Sequence, residues 1–228
     1  MSDAGARQLA FDLPHAESFR RDDFLPSSSN QAALALVESW PAWADRIAAI
    51  AGPPGSGKSH LAAIWAGRSG ARFVDAASLT RAEVPRALAT GALVIEDLAP
   101  QRVDEAALFH LLNLAREETA FVLITAKKRL DLEGFALADL ASRLRAVPAV
   151  QLAPPDDALI AAVLVKLFAD RQTRIDEDTV SFLLTRIERS LAAVREVAAR
   201  LDRAALSRGR RITRALAADV LRQENLFT

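Results

Sequence analysis

The stretch RIAAIAGPPGSGKSHLAAIWAG, residues 46–67, restricts the fold more than any other part of the chain. It joins a short apolar run to a helical pattern through G-x-x-x-x-G-K-S. Strand, glycine loop, helix is the context in which such a loop holds phosphate. Glycines at 52, 55 and 57 let the backbone turn with its N–H groups facing inward, where they cradle phosphate oxygens. Lys58 adds a point charge at the outer phosphates, and Ser59 offers a hydroxyl to magnesium. Gly52, Pro54, Gly55, Ser56, Gly57, Lys58, Ser59 and His60 are the candidate nucleotide-binding residues of this loop.

The rest of the chain supplies what a phosphate-loop strand requires. Apolar runs at 71–76, 92–97, 120–126 and 149–153 join the one at 46–51 as strand candidates, and helical stretches alternate with them. Such alternation predicts a five-stranded parallel sheet covered on both faces, an α/β fold. A lead-in helix over 31–40 precedes it, with Ser29 or Asn30 as its cap. The helix after the phosphate loop stops near Gly67 or Gly70. At PPDD, residues 154–157, the pattern changes. From there apolar residues recur at three- and four-residue spacing, predicting three or four helices, with Asp176 or Asp178 and Thr213 as caps. The expected division is an arm at 1–20, a nucleotide-binding α/β domain at 21–154 and a small all-α domain at 155–228.

Composition excludes several functions. Twenty-nine basic residues balance twenty-nine acidic ones, so no strong global affinity for nucleic acid or anionic membrane is implied. There are no cysteines, which removes disulfides, thiolate chemistry and cysteine-built zinc sites and fits a reducing cytoplasm. His15, His60 and His110 are far apart, a poor set of metal ligands. No run is long and apolar enough to cross a membrane, and the start lacks a secretory signal pattern.

Other candidate residues sit at strand ends. ALVIEDLAP places Glu96 and Asp97 where an acidic strand beside a phosphate loop holds magnesium and polarises water. Glu96 is read as the magnesium ligand, through water, with Ser59. Asp97 is read as the residue that acts as base or orients the attacking water. Thr125 ends the fourth strand, where it senses a terminal phosphate or caps the strand. ASRLR carries Arg143 and Arg145. Either is a surface salt-bridging arginine or a finger reaching a neighbour's nucleotide. Arg195 lies early in a helix of the C-terminal bundle, placed to fold over bound phosphate.

Phosphate loop, acidic strand, polar strand end, SRLR helix and bundle arginine, in that order, resemble the AAA+ ATPases, and within them the DnaA/Hda family. SSNQAALALV resembles that family's lead-in helix and DLASRLRAVPAVQLAPPD its arginine-finger segment, over about residues 18–225. The resemblance implies ADP or ATP with magnesium as cofactors, Arg143 as finger with Arg145 as the second candidate, and Arg195 as the second sensor. The chain ends just after the bundle, where the initiator continues into a helix-turn-helix domain, so sequence-specific DNA binding is not expected. In length the chain looks like the short Hda-type members, which turn the initiator off.

Those members carry a Gln-Leu motif that docks in the DNA polymerase sliding clamp, and QLAFDLP resembles it. Gln8, Leu9, Phe11 and Leu13 are therefore the expected partner-binding residues. The implied partners are the clamp and DnaA, with self-association through the nucleotide site or the arm also open. Two departures bear on activity. Glu96 stands where an aspartate is usual, and Ala126–Lys127 replaces a small residue followed by an aspartate. Weak intrinsic hydrolysis is the expectation. An independent ATPase such as a helicase loader, and a clamp-linked scaffold with a structural nucleotide, are the alternatives.

Overall fold

A computed structural model describes residues 19–224, with side chains to residue 222. Gln8, Leu9, Phe11 and Leu13 therefore lie outside the described residues. The first part of the chain runs α1 (Gln31–Glu38), β1 (Ile47–Ala51), α2 (Lys58–Ser69), β2 (Arg72–Asp75), α3 (Val84–Leu88), β3 (Ala92–Leu98), α4 (Glu105–Glu117), β4 (Phe121–Ala126), α5 (Ala138–Ala146) and β5 (Ala149–Gln151). The strands form one sheet in the order β2-β3-β4-β1-β5, and all its pairings are parallel.

Side-chain alternation explains why apolar residues fill these strands on both faces. Ile47, Ala49, Leu93, Ile95, Val122 and Ile124 point to a core shared with α3, α4 and α5. Ala48, Ile50, Ala92, Val94 and Leu123 point the other way, to α1 and α2, where Trp65 is fully buried. Each large buried side chain contributes about 1.5–3 kcal/mol of transfer free energy. Because the strands are parallel, the loops after β1, β3 and β4 emerge at one edge of the sheet, the usual ligand edge of open α/β sheets.

The C-terminal part is helical: α6 (Asp157–Asp170), α7 (Glu177–Leu184), α8 (Leu191–Arg208) and α9 (Arg214–Glu224). Its apolar stripes meet in a core of their own around Leu164, Phe168, Leu183, Val194 and Leu201. Asp176 caps α7, accepting from Thr179 N–H at 2.7 Å. The helix α7 stops at Leu184. Ser190 must be extended to cap α8, where it accepts from Ala193 N–H at 3.1 Å. Asn30 occupies the cap position of α1, but its side chain faces backward. It accepts from Ser27 N–H at 2.8 Å and donates to the Leu25 carbonyl at 3.0 Å, bracing the lead-in loop. Among the described residues no helix is long and apolar enough to cross a membrane.

Candidate nucleotide-binding site

The loop after β1 has the backbone that its glycines permit. Gly55 and Gly57 have φ of +70° and +102°, in the left-handed region that L side chains avoid. Gly57 precedes α2, whose first-turn N–H groups have no acceptor within the helix and point toward the loop. Lys58 is 7% exposed, and its Nζ donates to the carbonyls of Gly52 at 2.8 Å and Pro53 at 2.9 Å. Burial pushes its pKa below the ordinary lysine value. The charge of Asp97 opposes that shift and the charge of Lys127 adds to it. An anion in the cleft acts as Asp97 does and favours the charged lysine. The Ser56 hydroxyl is buried without a hydrogen-bond partner.

The acidic strand end is bulged. Ile95 pairs with Ile124 and Leu98 with Ala126, so Glu96 and Asp97 together oppose Thr125 alone. Asp97 takes up the extra length at φ +50°. Such a bulge re-aims a side chain, and of these two acids Asp97 lines the cleft. Its N–H donates to Thr125 Oγ1 at 3.1 Å. Thr125 is 1% exposed and braces the bulge. Glu96 lies in register with Asp75 of β2, and the cleft lining does not include it. Arg102 donates to both Asp75 carboxylate oxygens at 3.0 Å and stands 3.7 Å from Asp97.

The cleft has a volume of about 1060 Å³ and three walls. The phosphate loop forms its floor with Pro54, Gly55, Gly57, Lys58 and Ser59. The lead-in segment supplies Phe19, Asp23, Phe24 and Leu25. The lid supplies Leu159, Val163 and Lys166 from α6 and Leu191, Arg195 and Glu196 from α8. The walls are tied together. Leu191 N–H donates to the Gly55 carbonyl at 2.8 Å, placing the start of α8 on the phosphate loop. Lys166 Nζ binds Asp23 at 2.6 Å and Asp170 at 2.7 Å. His60 is buried between Phe19 and Phe24, whose rings meet it edge-on at 5.4 and 5.2 Å. Its Nε2 is 3.0 Å from the Arg20 carbonyl. Lys127 and Arg195 make no ion pair among the described residues, so with Lys58 they leave the cleft with cationic groups. That donor set suits a polyphosphate, and the apolar wall of Phe24, Leu25, Leu159 and Val163 suits a flat base.

The structure thus brings Pro54, Gly55, Gly57, Lys58, Ser59, His60, Asp97 and Arg195 to one cleft. Gly52 lies at its base, where an added Cβ would stand 2.8 Å from Leu152 Cβ. Arg143 is elsewhere, half-buried on α5 with its guanidinium 4.7 Å from the Phe109 ring. Arg145 is exposed. The lead-in residues, the α6 residues and Lys127 as a lining residue were not in the expected set. Among the described residues no group of three or more His, Asp or Glu is arranged to hold a metal alone.

Residues 157–221 match the family model described as "Hda, lid domain". No curated protein matches the chain in sequence. Among solved structures, domain III of the Thermotoga maritima replication initiation protein DnaA is similar at 17% identity and a TM-score of 0.73, over 90% of this chain and 96% of that one. A replication initiator DnaA bound to AMPPCP and single-stranded DNA is similar at 16% identity and a TM-score of 0.66, and 64% of its length is spanned. The Thermotoga maritima RuvB Holliday junction branch migration motor matches at 18% identity and a TM-score of 0.74, over 90% of this chain and 72% of that one. The chain has the AAA+ fold, DnaA/Hda-like, with a helical lid that matches the Hda type.

Proposed function

We infer that the chain is a DnaA-related regulator of replication initiation. In this reading it is a cytoplasmic, nucleotide-holding protein that docks on the sliding clamp and promotes hydrolysis of ATP on DnaA. The observation that carries it is a division of labour between two arginines. Arg195 lines the chain's own cleft from the lid, while Arg143 stands outside it, stacked on Phe109. An arginine held away from its own nucleotide site is available to a neighbour's.

The phosphate-loop amides, Lys58 and Arg195 would hold the phosphates of ADP or ATP, with the base against Phe24, Leu25, Leu159 and Val163. Ser59 and Asp97, the one of the two acids ending β3 that lines the cleft, would hold magnesium. Bound magnesium would neutralise phosphate charge. Asp97 sits where it can orient a water, but Lys127 adds a cation beside it and Glu96 faces away, so the chain's own turnover is slow. On DnaA, water attacks the γ-phosphorus of the bound ATP. The bond to the β–γ bridging oxygen breaks, and ADP and phosphate leave. Arg143 neutralises the charge that builds on those oxygens, a contribution of about 10³–10⁵ in rate where measured in GTPases. Gln8, Leu9, Phe11 and Leu13 anchor the clamp, which brings the two proteins together and raises the effective concentration of Arg143.

The test is hydrolysis of ATP bound to purified DnaA, with this protein and DNA-loaded clamp. Stimulation is expected. Arg143→Ala should abolish it, and Arg145→Ala should not. Replacing Gln8, Leu9 and Phe11 together with alanine should remove clamp binding and keep nucleotide binding. Full stimulation by Arg143→Ala refutes the finger. Turnover by the chain alone above about 1 s⁻¹, the low end of common enzyme rates, indicates an independent ATPase instead.

A further inference from the structure

The densest charge outside the cleft lies at the far end of the lid. Residues 203–222 contain six arginines and one acid, Asp219, a local net of +5 in a chain whose charges cancel. Gly209, at φ +57°, ends α8, and residues 210–213 pass to α9 without regular structure. Arginines thus emerge from the end of one helix, the turn, and the start of the next. Arg203, Arg208, Arg210, Arg211, Arg214 and Arg222 are all exposed.

Internal pairing leaves most of this charge in place. Asp219 is shared by Arg222 at 3.0 Å and Arg208 at 3.8 Å, and Arg214 reaches Asp178 at 3.3 Å. The side chains of Arg203, Arg210 and Arg211 make no ion pair or hydrogen bond among the described residues. The turn is anchored by Ile212, 2% exposed, so packing does not need the arginines around it. Like charges crowded together repel one another and contribute nothing to this fold.

We propose that this turn binds the phosphate backbone of nucleic acid, without sequence preference. Every cation in it is arginine, whose planar fork pairs two phosphate oxygens at once. Binding through counterion release needs charge density and no pocket, which is what the turn offers. A lipid surface fits less well, because Leu206, 66% exposed, is the one large apolar side chain displayed there and gives no apolar face to bury. Arg208 is thirteen residues beyond Arg195 on α8, about 20 Å at helical rise, so the turn and the nucleotide cleft are separate.

The test is fluorescence anisotropy of a labelled 20-base-pair duplex at several salt concentrations. Each neutralised phosphate adds about 0.9 to the slope of log K against log salt, and non-specific dissociation constants run about 10⁻⁴–10⁻⁶ M. The parent should bind in that range, equally for two unrelated sequences. Replacing Arg203, Arg210 and Arg211 with alanine should weaken binding at least tenfold and lower the slope by about 2–3, with the thermal midpoint unchanged. Lysine at the three positions should keep most of the slope. If the triple alanine variant unfolds, Arg210→Glu alone, at a side chain with no partner, should still weaken binding. No duplex binding by the parent at low salt, equal binding by parent and variants, or binding to phosphatidylserine vesicles in place of duplex would each overturn the proposal.

Discussion

Replacing Gly55 with alanine strikes where the phosphate loop touches the lid. The residue sits at φ +70°, and an added Cβ would stand 2.6 Å from Ser190 Oγ, 2.8 Å from Ser190 Cβ and 3.2 Å from the backbone nitrogen of Ala192. The left-handed backbone alone costs alanine about 1–2 kcal/mol. Relieving the overlap moves the start of α8 and adds about 1–3 kcal/mol, and the Leu191-to-Gly55 hydrogen bond lengthens with it. The sum is about 2–5 kcal/mol, and at 2–4 °C per kcal/mol for a chain this size the midpoint should fall by roughly 5–15 °C. Ser190→Gly removes both offending side-chain atoms and, at an N-cap, costs only about a few tenths of a kcal/mol. Gly55→Ala with Ser190→Gly should therefore recover the overlap but keep the backbone strain, a coupling of about 1–3 kcal/mol. Urea unfolding of the parent, both single variants and the double variant measures it. If Gly55→Ala is as stable as the parent, or the double variant no better than the sum of the singles, the lid does not rest on the loop.

Lys58→Met should abolish nucleotide-induced stabilisation while leaving the nucleotide-free protein as stable at neutral pH or more so. Because folding lowers the lysine pKa, the burial cost is present below the folded-state pKa. It fades as pH rises toward the ordinary lysine value, so thermal unfolding of both proteins between pH 7 and 10.5 should show the parent gaining on the variant. Phe109→Leu removes the ring under Arg143 while keeping an apolar side chain against the core, at a loss of about 0.5–1 kcal/mol of cation–π attraction. Stimulation of DnaA-bound ATP hydrolysis should drop severalfold, short of the loss in Arg143→Ala, and nucleotide affinity of the chain itself should not move.

What could be read from the chain alone was local and periodic. Strands buried on both faces read as continuous apolar runs, and Ile47–Ala51 and Ala92–Leu98 lie within one residue of where those runs place them. The phosphate loop carries its geometry in its glycines. The bulge does not. Glu96 and Asp97 look equivalent as neighbours in a strand, and only the offset pairing with β4 turns one toward the cleft. Asp23 and Lys166 were hidden for another reason. They meet across 143 residues of chain, and nothing in either local sequence marks the pair. His60 is adjacent to the phosphate-loop signature, yet its ring packs between two phenylalanines of the lead-in, a contact set by tertiary packing.

That contact makes the first turn of α2 a short leash. Ser59 faces the cleft, and one residue later His60 holds the backbone at Arg20 with Phe19 and Phe24 on either side. Leu13 precedes Phe19 by six residues, and six residues reach at most about 20 Å when fully drawn out. Any protein that grips the chain at Leu13 is thus moored within about 20 Å of the rim of the nucleotide cleft. Such a partner is large compared with that distance. Its bulk must stand beside the lead-in wall, next to the lid residues that Asp23 ties to that wall through Lys166.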